Sequence, residues 1–159
     1  MSLRIYVDFK MPPDARQWLE NNVGEHDLIF PMQPMTSVLS NAEPDPQFQT
    51  ADVAFGQPSV ESVEQATNLR WLSISSSGMT RYDNDAFRTL MQEQQTAVTH
   101  SATVFNRACA LHAFSFMLAE ARKLPEALQT QVAHSSPGWP DIRARSTLLE
   151  GDSVLIVGH

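Results

Sequence analysis

The sequence contains one cysteine, Cys109, among 159 residues. A single thiol cannot form a disulfide within the chain, and no CxxC or Cys/His spacing suggests a zinc site. The histidines are scattered, without the i, i+4 pairing of a helical metal site; they are His26, His100, His112, His134 and His159. We therefore expect no bound metal and a reducing, cytoplasmic environment.

Positive charge is also scarce. The chain has 11 lysines and arginines against 18 aspartates and glutamates, a net charge of -7, and its only lysines are Lys10 and Lys123. This balance removes the electrostatic basis for binding nucleic acid. The N-terminus lacks an apolar signal segment, and no run approaches the roughly 18 apolar residues of a membrane span. We expect a soluble protein whose partner is a small molecule or another protein.

Short apolar runs alternate with helix-like stretches over the first hundred residues. The predicted strands are residues 3–8, 27–30, 51–55, 69–74 and 96–99. Helices are predicted after the Pro12-Pro13 pair, after Ser59 as an N-cap, and over residues 85–94, whereas residues 31–49 read as loop or short irregular helix. Five βα repeats predict an α/β fold with a parallel sheet and helices on both faces.

The remaining third of the chain has a different pattern. Residues 106–131 are apolar on too many sides for one narrow stripe, which predicts a long helix buried on more than one side and broken near Leu124-Pro125. A loop at residues 135–139, a turn at 149–152 and a last strand at 153–157 should follow. A strand near the end of the sequence with nothing after it suggests an incomplete structural unit.

Three segments, in this order, resemble the D-isomer-specific 2-hydroxyacid dehydrogenases. LRWLSISSSGMTRYD at residues 69–83 is similar to the family's strand and Ser-Ala-Gly loop, although Thr80 replaces the usual acid or amide. VFNRACALHAFSFMLAEARKLPEALQTQ at residues 104–131 is similar to its long interdomain helix. LEGDSVLIVG at residues 149–158 is similar to the strand that enters the GxGxxG dinucleotide motif.

The resemblance implies two domains. Residues 1–101 would form a flavodoxin-like substrate-binding domain, and residues 102–159 would provide the long helix and the first strand of a truncated Rossmann domain. It also implies that the dinucleotide motif begins at Gly158 and continues beyond His159. The family's catalytic arginine, carboxylate and histidine would lie beyond His159 as well.

The family's site residues can be carried over at a few positions. Ser76, Ser77 and Gly78 would present backbone N–H groups to the substrate carboxylate, and Phe105 would line the substrate cleft. Cys109 and Gly158 would lie near the cofactor, NAD or NADP. The alternative readings are an ordinary polar turn at Ser76 to Gly78, and helix-core positions for Phe105 and Cys109.

Other chemistries fit less well. No GxSxG pattern supports Ser76 or Ser77 as a hydrolase nucleophile. Asp8, at the end of the first strand, invites comparison with phosphoacceptor receiver domains, but the third strand ends in Phe55-Gly56-Gln57 and the fifth in Thr99-His100, without the acceptor Asp and the lysine. We reject that class.

The resemblance therefore implies part of an oxidoreductase that transfers a hydride between NAD(P) and a D-2-hydroxy or 2-oxo acid, in a family that commonly forms homodimers. We expect the 159 residues alone to be inactive, because the catalytic residues cannot be assigned in this chain. The competing hypothesis is a non-catalytic binding or dimerisation module.

Overall fold

The structure, a computed structural model, describes residues 1–37, 40, 43–133 and 138–157. The chain divides into two compact units, Met1–Phe105 and Asn106–His159. None of the helices in the described ranges is long and apolar enough to span a bilayer.

The first unit is built on a parallel sheet in the order β2-β1-β3-β4-β5. This arrangement confirms the predicted α/β class, and each observed strand overlaps its predicted run. The strands are β1 (Arg4–Val7), β2 (Asp27–Ile29), β3 (Val53–Gly56), β4 (Trp71–Ile74) and β5 (Ala97–His100). The helices between them are α1 (Pro13–Asn22), α2 (Val60–Gln65) and α3 (Asp85–Glu93), with 3-10 turns at Pro46–Thr50 and Thr80–Tyr82.

The strand order places these helices on both faces. Helix α1 connects β1 to β2, on one side of β1 in the sheet. Helices α2 and α3 connect β3 to β4 and β4 to β5, which follow each other in the opposite direction. Since parallel crossovers are right-handed, α1 covers one face of the sheet and α2 and α3 cover the opposite face. The order is that of flavodoxin-like sheets.

The main core lies on one face of this sheet. Side chains alternate along β4, where Leu72 and Ile74 are buried and Ser73 is half-buried, as expected for a strand with a period of two. Large buried partners come from the 3-10 turns and α3, notably Phe48, Tyr82 and Phe87. Helix α1 contributes no buried residue, and its Trp18 is exposed.

Local capping explains where the helices begin. The Ser59 hydroxyl accepts a hydrogen bond from the Ser62 N–H at 3.1 Å, as predicted for the N-cap of α2. Asn84 caps α3 in the same way, accepting from the Phe87 N–H at 2.9 Å. Within residues 31–49, the described part is loop except for the 3-10 turn, which agrees with the irregular reading of this stretch.

The second unit contains most of α4 (Ala102–Ala121), together with α5 (Leu124–Ala133) and α6 (Trp139–Arg145). The predicted break of the long helix is confirmed at Lys123, whose φ of 52° ends α4 just before Leu124-Pro125 opens α5. Helices α5 and α6 are joined by Arg145, which donates to both carboxylate oxygens of Glu126.

Three predictions for this part of the chain are wrong. Residues 153–157 form neither helix nor strand, and their side chains are exposed, so the predicted Rossmann strand is not formed. The predicted loop at residues 135–139 extends too far, because Trp139 begins α6; residues 135–137 lie outside the described ones.

The long helix is also not buried on several sides. Ala121 is its one buried residue, and large apolar side chains on α4 are exposed, including Phe114 and Phe116. The sequence pattern correctly predicted that the long helix has apolar residues on several sides. Within the described chain, however, nothing covers these residues.

Candidate carboxylate-binding site

The carboxyl ends of the strands form the natural binding edge of this sheet. The strand order reverses direction between β1 and β3, and ligands of open parallel sheets bind outside the carboxyl ends at such a point. Three segments leave the sheet there, beginning at Asp8 after β1, at Gln57 after β3 and at Ser75 after β4. The predicted residues Ser76, Ser77 and Gly78 belong to the third segment.

The loop after β4 is fixed through its carbonyl and hydroxyl groups. The Ser76 carbonyl accepts from the Ser101 N–H at 3.0 Å, and the Ser76 hydroxyl donates to the Gly78 carbonyl at 2.5 Å. Within the part of the chain that the structure describes, the backbone N–H groups of Ser76, Ser77 and Gly78 donate no hydrogen bond. The loop therefore holds three consecutive donors that are available to an anion.

Gly78 leaves open space beside these donors. A Cβ placed on it would meet no atom within 4 Å, and its backbone does not need a positive φ. Glycine is therefore not needed here for the fold of the loop. The role of these residues in binding a carboxylate, as opposed to forming an ordinary polar turn, stays a prediction.

Asp8 is a buried carboxylate at the end of β1. Its side chain is 3% exposed, and its two oxygens accept from the Gln57 N–H at 3.0 and 2.8 Å. Burial raises the pKa of Asp8 to about 6, against the opposing effects of the Gln57 hydrogen bond and the positive charge of Arg81. Sequence reasoning considered Asp8 only in the comparison with receiver domains and missed this contact.

The turn after β3 fits closely over Asp8. Gly56 has a φ of 143°, and a Cβ placed on it would lie 1.7 Å from one Asp8 carboxylate oxygen. Only glycine meets both conditions. The Phe55-Gly56-Gln57 sequence was the available signal, because a glycine directly after a buried strand marks a close approach of backbone to another group.

Two side chains from the Thr80–Tyr82 turn reach the same segment. Arg81 donates to the Gln57 carbonyl at 3.3 Å and to the Ser40 carbonyl at 2.9 Å, and the Tyr82 hydroxyl donates to the Pro58 carbonyl at 2.6 Å. Burial raises the pKa of Tyr82 to well above its usual value, so this hydroxyl stays a donor.

The remaining predicted site residues are not brought into one described site. Phe105, in α4, is 41% exposed and belongs to the first unit. Cys109 is exposed and belongs to the second unit. The helix-core reading of both residues is therefore wrong for the described chain, whereas their predicted places in a cleft stay predictions. Gly158 lies outside the described residues.

A cavity of about 500 Å³ lies beside Asp8, between residues 31–46 and the start of α2. Its described lining carries the carboxylates of Asp8, Glu43 and Asp45 and no lysine, arginine or histidine. Because like charges repel, this lining disfavours an anionic acid. The loop after β4 is the better candidate for a carboxylate.

The described residues do not fit a dinucleotide pyrophosphate. Such a site needs a glycine-rich turn followed by a helix N-terminus. Residues 149–151 form a turn, but between residues 152 and 157 the described chain has no regular secondary structure and is exposed, and no helix begins there. The described chain therefore supplies no binding site for the NAD(P) pyrophosphate.

No protein-family model matches the sequence. No curated protein sequence matches it either.

Solved structures do match. A D-isomer-specific 2-hydroxyacid dehydrogenase, NAD-binding, from Polaromonas sp. JS6 66 has a TM-score of 0.59 at 20% identity, over 95% of this chain and 46% of that one. D-lactate dehydrogenase from Aquifex aeolicus, complexed with NAD and lactic acid, has a TM-score of 0.63 at 12% identity, over 87% and 40%. The NADPH-dependent glyoxylate/hydroxypyruvate reductase of Sinorhizobium meliloti, in complex with NADP and malonate, has a TM-score of 0.55 at 17% identity, over 97% and 44%.

The chain thus spans less than half the length of these structures. At such low identities the matches establish the fold alone. The similarity predicted from the three sequence segments is confirmed at that level: this chain has the fold found in part of the NAD(P)-dependent 2-hydroxyacid dehydrogenases.

Proposed function

We propose that the first unit is the substrate-binding domain of an NAD(P)-dependent D-2-hydroxyacid dehydrogenase, and that Ser76, Ser77 and Gly78 bind the carboxylate of a small 2-oxo or 2-hydroxy acid. The observation that carries the proposal is the row of three unpaired N–H groups at the carboxyl end of β4. Hydrogen bonds from fixed backbone donors to a charged oxygen are among the stronger ones in proteins. Phe105 would border the same site.

The fold likeness supports the reaction class. In the matched structures, NAD or NADP and small acids such as lactic acid are bound by chains more than twice as long as the matched segment. In the proposed protein, Cys109 and Gly158 would lie at the edge of the cofactor site. Polypeptide beyond His159 would complete that site and supply the acid/base residues. Sequencing the coding DNA past that codon tests this. A frame that continues with glycine and later supplies arginine, a carboxylate and histidine supports the enzyme, whereas an immediate stop codon contradicts it.

Binding can be tested on the 159-residue chain itself. We expect pyruvate to shift the backbone amide NMR signals of Ser76, Ser77 and Gly78. Methyl pyruvate keeps the ketone and lacks the charge, so it should leave these signals unchanged. Pyruvate shifts that avoid the loop, or equal shifts with the neutral ester, would contradict the carboxylate site.

A matched pair of variants separates backbone from side-chain binding. Ser77→Pro removes one N–H donor and should weaken pyruvate binding by about tenfold or more, the usual effect of losing a hydrogen bond to a charged group. Ser77→Ala keeps the N–H and removes only the hydroxyl, so its affinity should stay within about twofold of the original. Both variants must first show a well-dispersed amide spectrum.

The exposed apolar residues of α4 and α5 favour a second function, a binding or dimerisation module. Phe114, Phe116 and Leu128 are all exposed, and extensive exposed apolar surface often marks protein interfaces. A stable, monodisperse dimer of the 159-residue chain would support this module. Aggregation, or rapid proteolysis within residues 132–157, would instead support part of a larger enzyme. For the whole enzyme, as for the module, we propose a cytoplasmic homodimer.

A further inference from the structure

The turn at the end of β3, residues 56–58, has four backbone groups that are hydrogen-bonded to residues after β1 and after β4. The Gln57 N–H binds the Asp8 carboxylate, and the Gln57 and Pro58 carbonyls accept from Arg81 and Tyr82. The Gly56 carbonyl accepts from the Ser75 N–H at 3.0 Å. Three of these four backbone groups are therefore bound by side chains and the fourth by a backbone N–H.

These contacts join the turn to the proposed substrate loop. Ser75 directly precedes Ser76, and Arg81 and Tyr82 follow Gly78 by three and four residues, so the loop is tied to the turn on both of its sides. A displacement of Gly56 or Gln57 would therefore move the loop. The free N–H groups of Ser76, Ser77 and Gly78 lie between the two attachments.

Asp8 holds the turn through its side-chain carboxylate. Its carboxylate occupies the space beside the Gly56 Cα and binds the next N–H along the chain. We infer that Asp8 is a positioning residue for the proposed carboxylate site, acting through Gly56 and Gln57 on the loop after β4. This inference rests on the proposed function for its role in binding, although the mechanical link stands on the contacts themselves.

The link should respond to pH. The pKa of Asp8 lies at about 6, so protonation occurs under mild conditions and replaces one acceptor oxygen by a hydroxyl. The other charged and titratable groups that face Asp8 are Arg81, Tyr6 and Tyr82, and Glu43 and Asp45 line the same cavity. A neutral acceptor binds an N–H less strongly than a carboxylate, so protonation loosens the turn.

Two measurements on the 159-residue chain test the inference. Without ligand, the amide signals of Ser75 to Gly78 should titrate with a midpoint near pH 6 in the wild-type chain and stay constant in Asp8→Asn. With pyruvate, binding at about pH 7.5 should be about fivefold weaker in Asp8→Asn, the difference expected between a charged and a neutral acceptor.

Two further variants serve as controls. His100 ends the neighbouring strand β5, so the loop titration must persist in His100→Gln if Asp8 is its source. Tyr82→Phe removes one other attachment of the turn, the hydrogen bond to the Pro58 carbonyl, while Asp8 stays in place. It should weaken pyruvate binding by about fivefold and keep the pH response.

The outcomes separate the two proposals. If the wild-type loop signals do not titrate, or if they titrate equally in Asp8→Asn, the positioning role is overturned whether or not pyruvate binds. If they titrate only in the wild-type chain but pyruvate shifts no loop signal, the mechanical link stands and the proposed function fails. If Asp8→Asn does not fold, the positioning role is judged from two other results: the titration of the loop signals in the wild-type chain and the pyruvate affinity of Tyr82→Phe.

Discussion

At the scale of single residues, the backbone of Gly56 lies close against the Asp8 carboxylate. Gly56→Ala would place a methyl group 1.7 Å from a carboxylate oxygen, at a φ of 143° that alanine avoids. Backbone strain and steric displacement each cost about 1 to 3 kcal/mol, so we expect the free energy of unfolding to fall by roughly 3 kcal/mol. Urea denaturation followed by circular dichroism measures it.

Gly78→Ala is the matched control. The added Cβ would meet nothing within 4 Å, so the free energy of unfolding should change by less than about 0.5 kcal/mol. Equal destabilisation by both substitutions would mean that the space beside Asp8 is not the cause.

The burial of Asp8 predicts a pH-dependent stability. Its pKa rises from 3.8 to about 6 on folding, so the folded chain holds this proton more tightly than the unfolded chain. The resulting stabilisation is complete below about pH 4 and is lost as the pH rises through about 6. As the pH rises through this range, the free energy of unfolding of Asp8→Asn should therefore increase by roughly 3 kcal/mol relative to that of the wild-type chain, at 1.36 kcal/mol per pKa unit.

Urea denaturation of both proteins at about pH 4 and about pH 7 gives this difference. Asp152→Asn, at an exposed position of the second unit, is the control and should follow the wild-type chain at both pH values. A difference between Asp8→Asn and wild type that stays constant with pH would contradict the raised pKa.

At the scale of elements, α3 ends in a turn that favours glycine. The Thr96 N–H binds the Met91 carbonyl, the Gln95 N–H binds the Gln92 carbonyl, and Gln95 adopts a φ of 57°. This is a Schellman motif with a non-glycine residue in the left-handed position. Gln95→Gly should therefore raise the free energy of unfolding by about 1 kcal/mol.

Gln92→Gly is the opposite control within the same helix. It lies inside α3, where glycine lowers stability by about 1 kcal/mol relative to a good helix former. If both glycines destabilise the chain, the strain assigned to Gln95 is absent.

The sequence predicted the elements of the first unit because their signals are local. The Ser59 cap and the apolar runs mark α2 and the five strands within a few residues of their observed bounds. The contact between Asp8 and Gln57 joins residues 49 positions apart, and no pattern in one sequence reports such a pair. Residues 153–157 have strong strand propensity but no neighbouring strand with which to pair, so propensity alone failed there.

For the whole molecule, the exposed apolar residues of α4 and α5 predict self-association. Phe116 is 64% exposed, and Phe114 and Leu128 have comparable exposure. We expect light scattering to show dimers or larger species, and Phe114→Glu with Phe116→Glu to shift them toward monomer, because a buried carboxylate without a partner is costly.

Trp18→Glu is the control on the first unit. Trp18 is a single exposed aromatic side chain on α1, 66% exposed. Association that survives this change and disappears with the double substitution assigns the contact to α4. If Trp18→Glu alone gives monomers, the contact is elsewhere.

The order of the strands has a consequence for synthesis. Residues 4–56 contain β1, β2 and β3, which are neighbours in the sheet, and β4 and β5 then add one after another at the same edge. Parallel pairing is slow because each strand must wait for its crossover to close. Here each strand that leaves the ribosome after β1 finds its partner already made, so the sheet can grow in the order of translation.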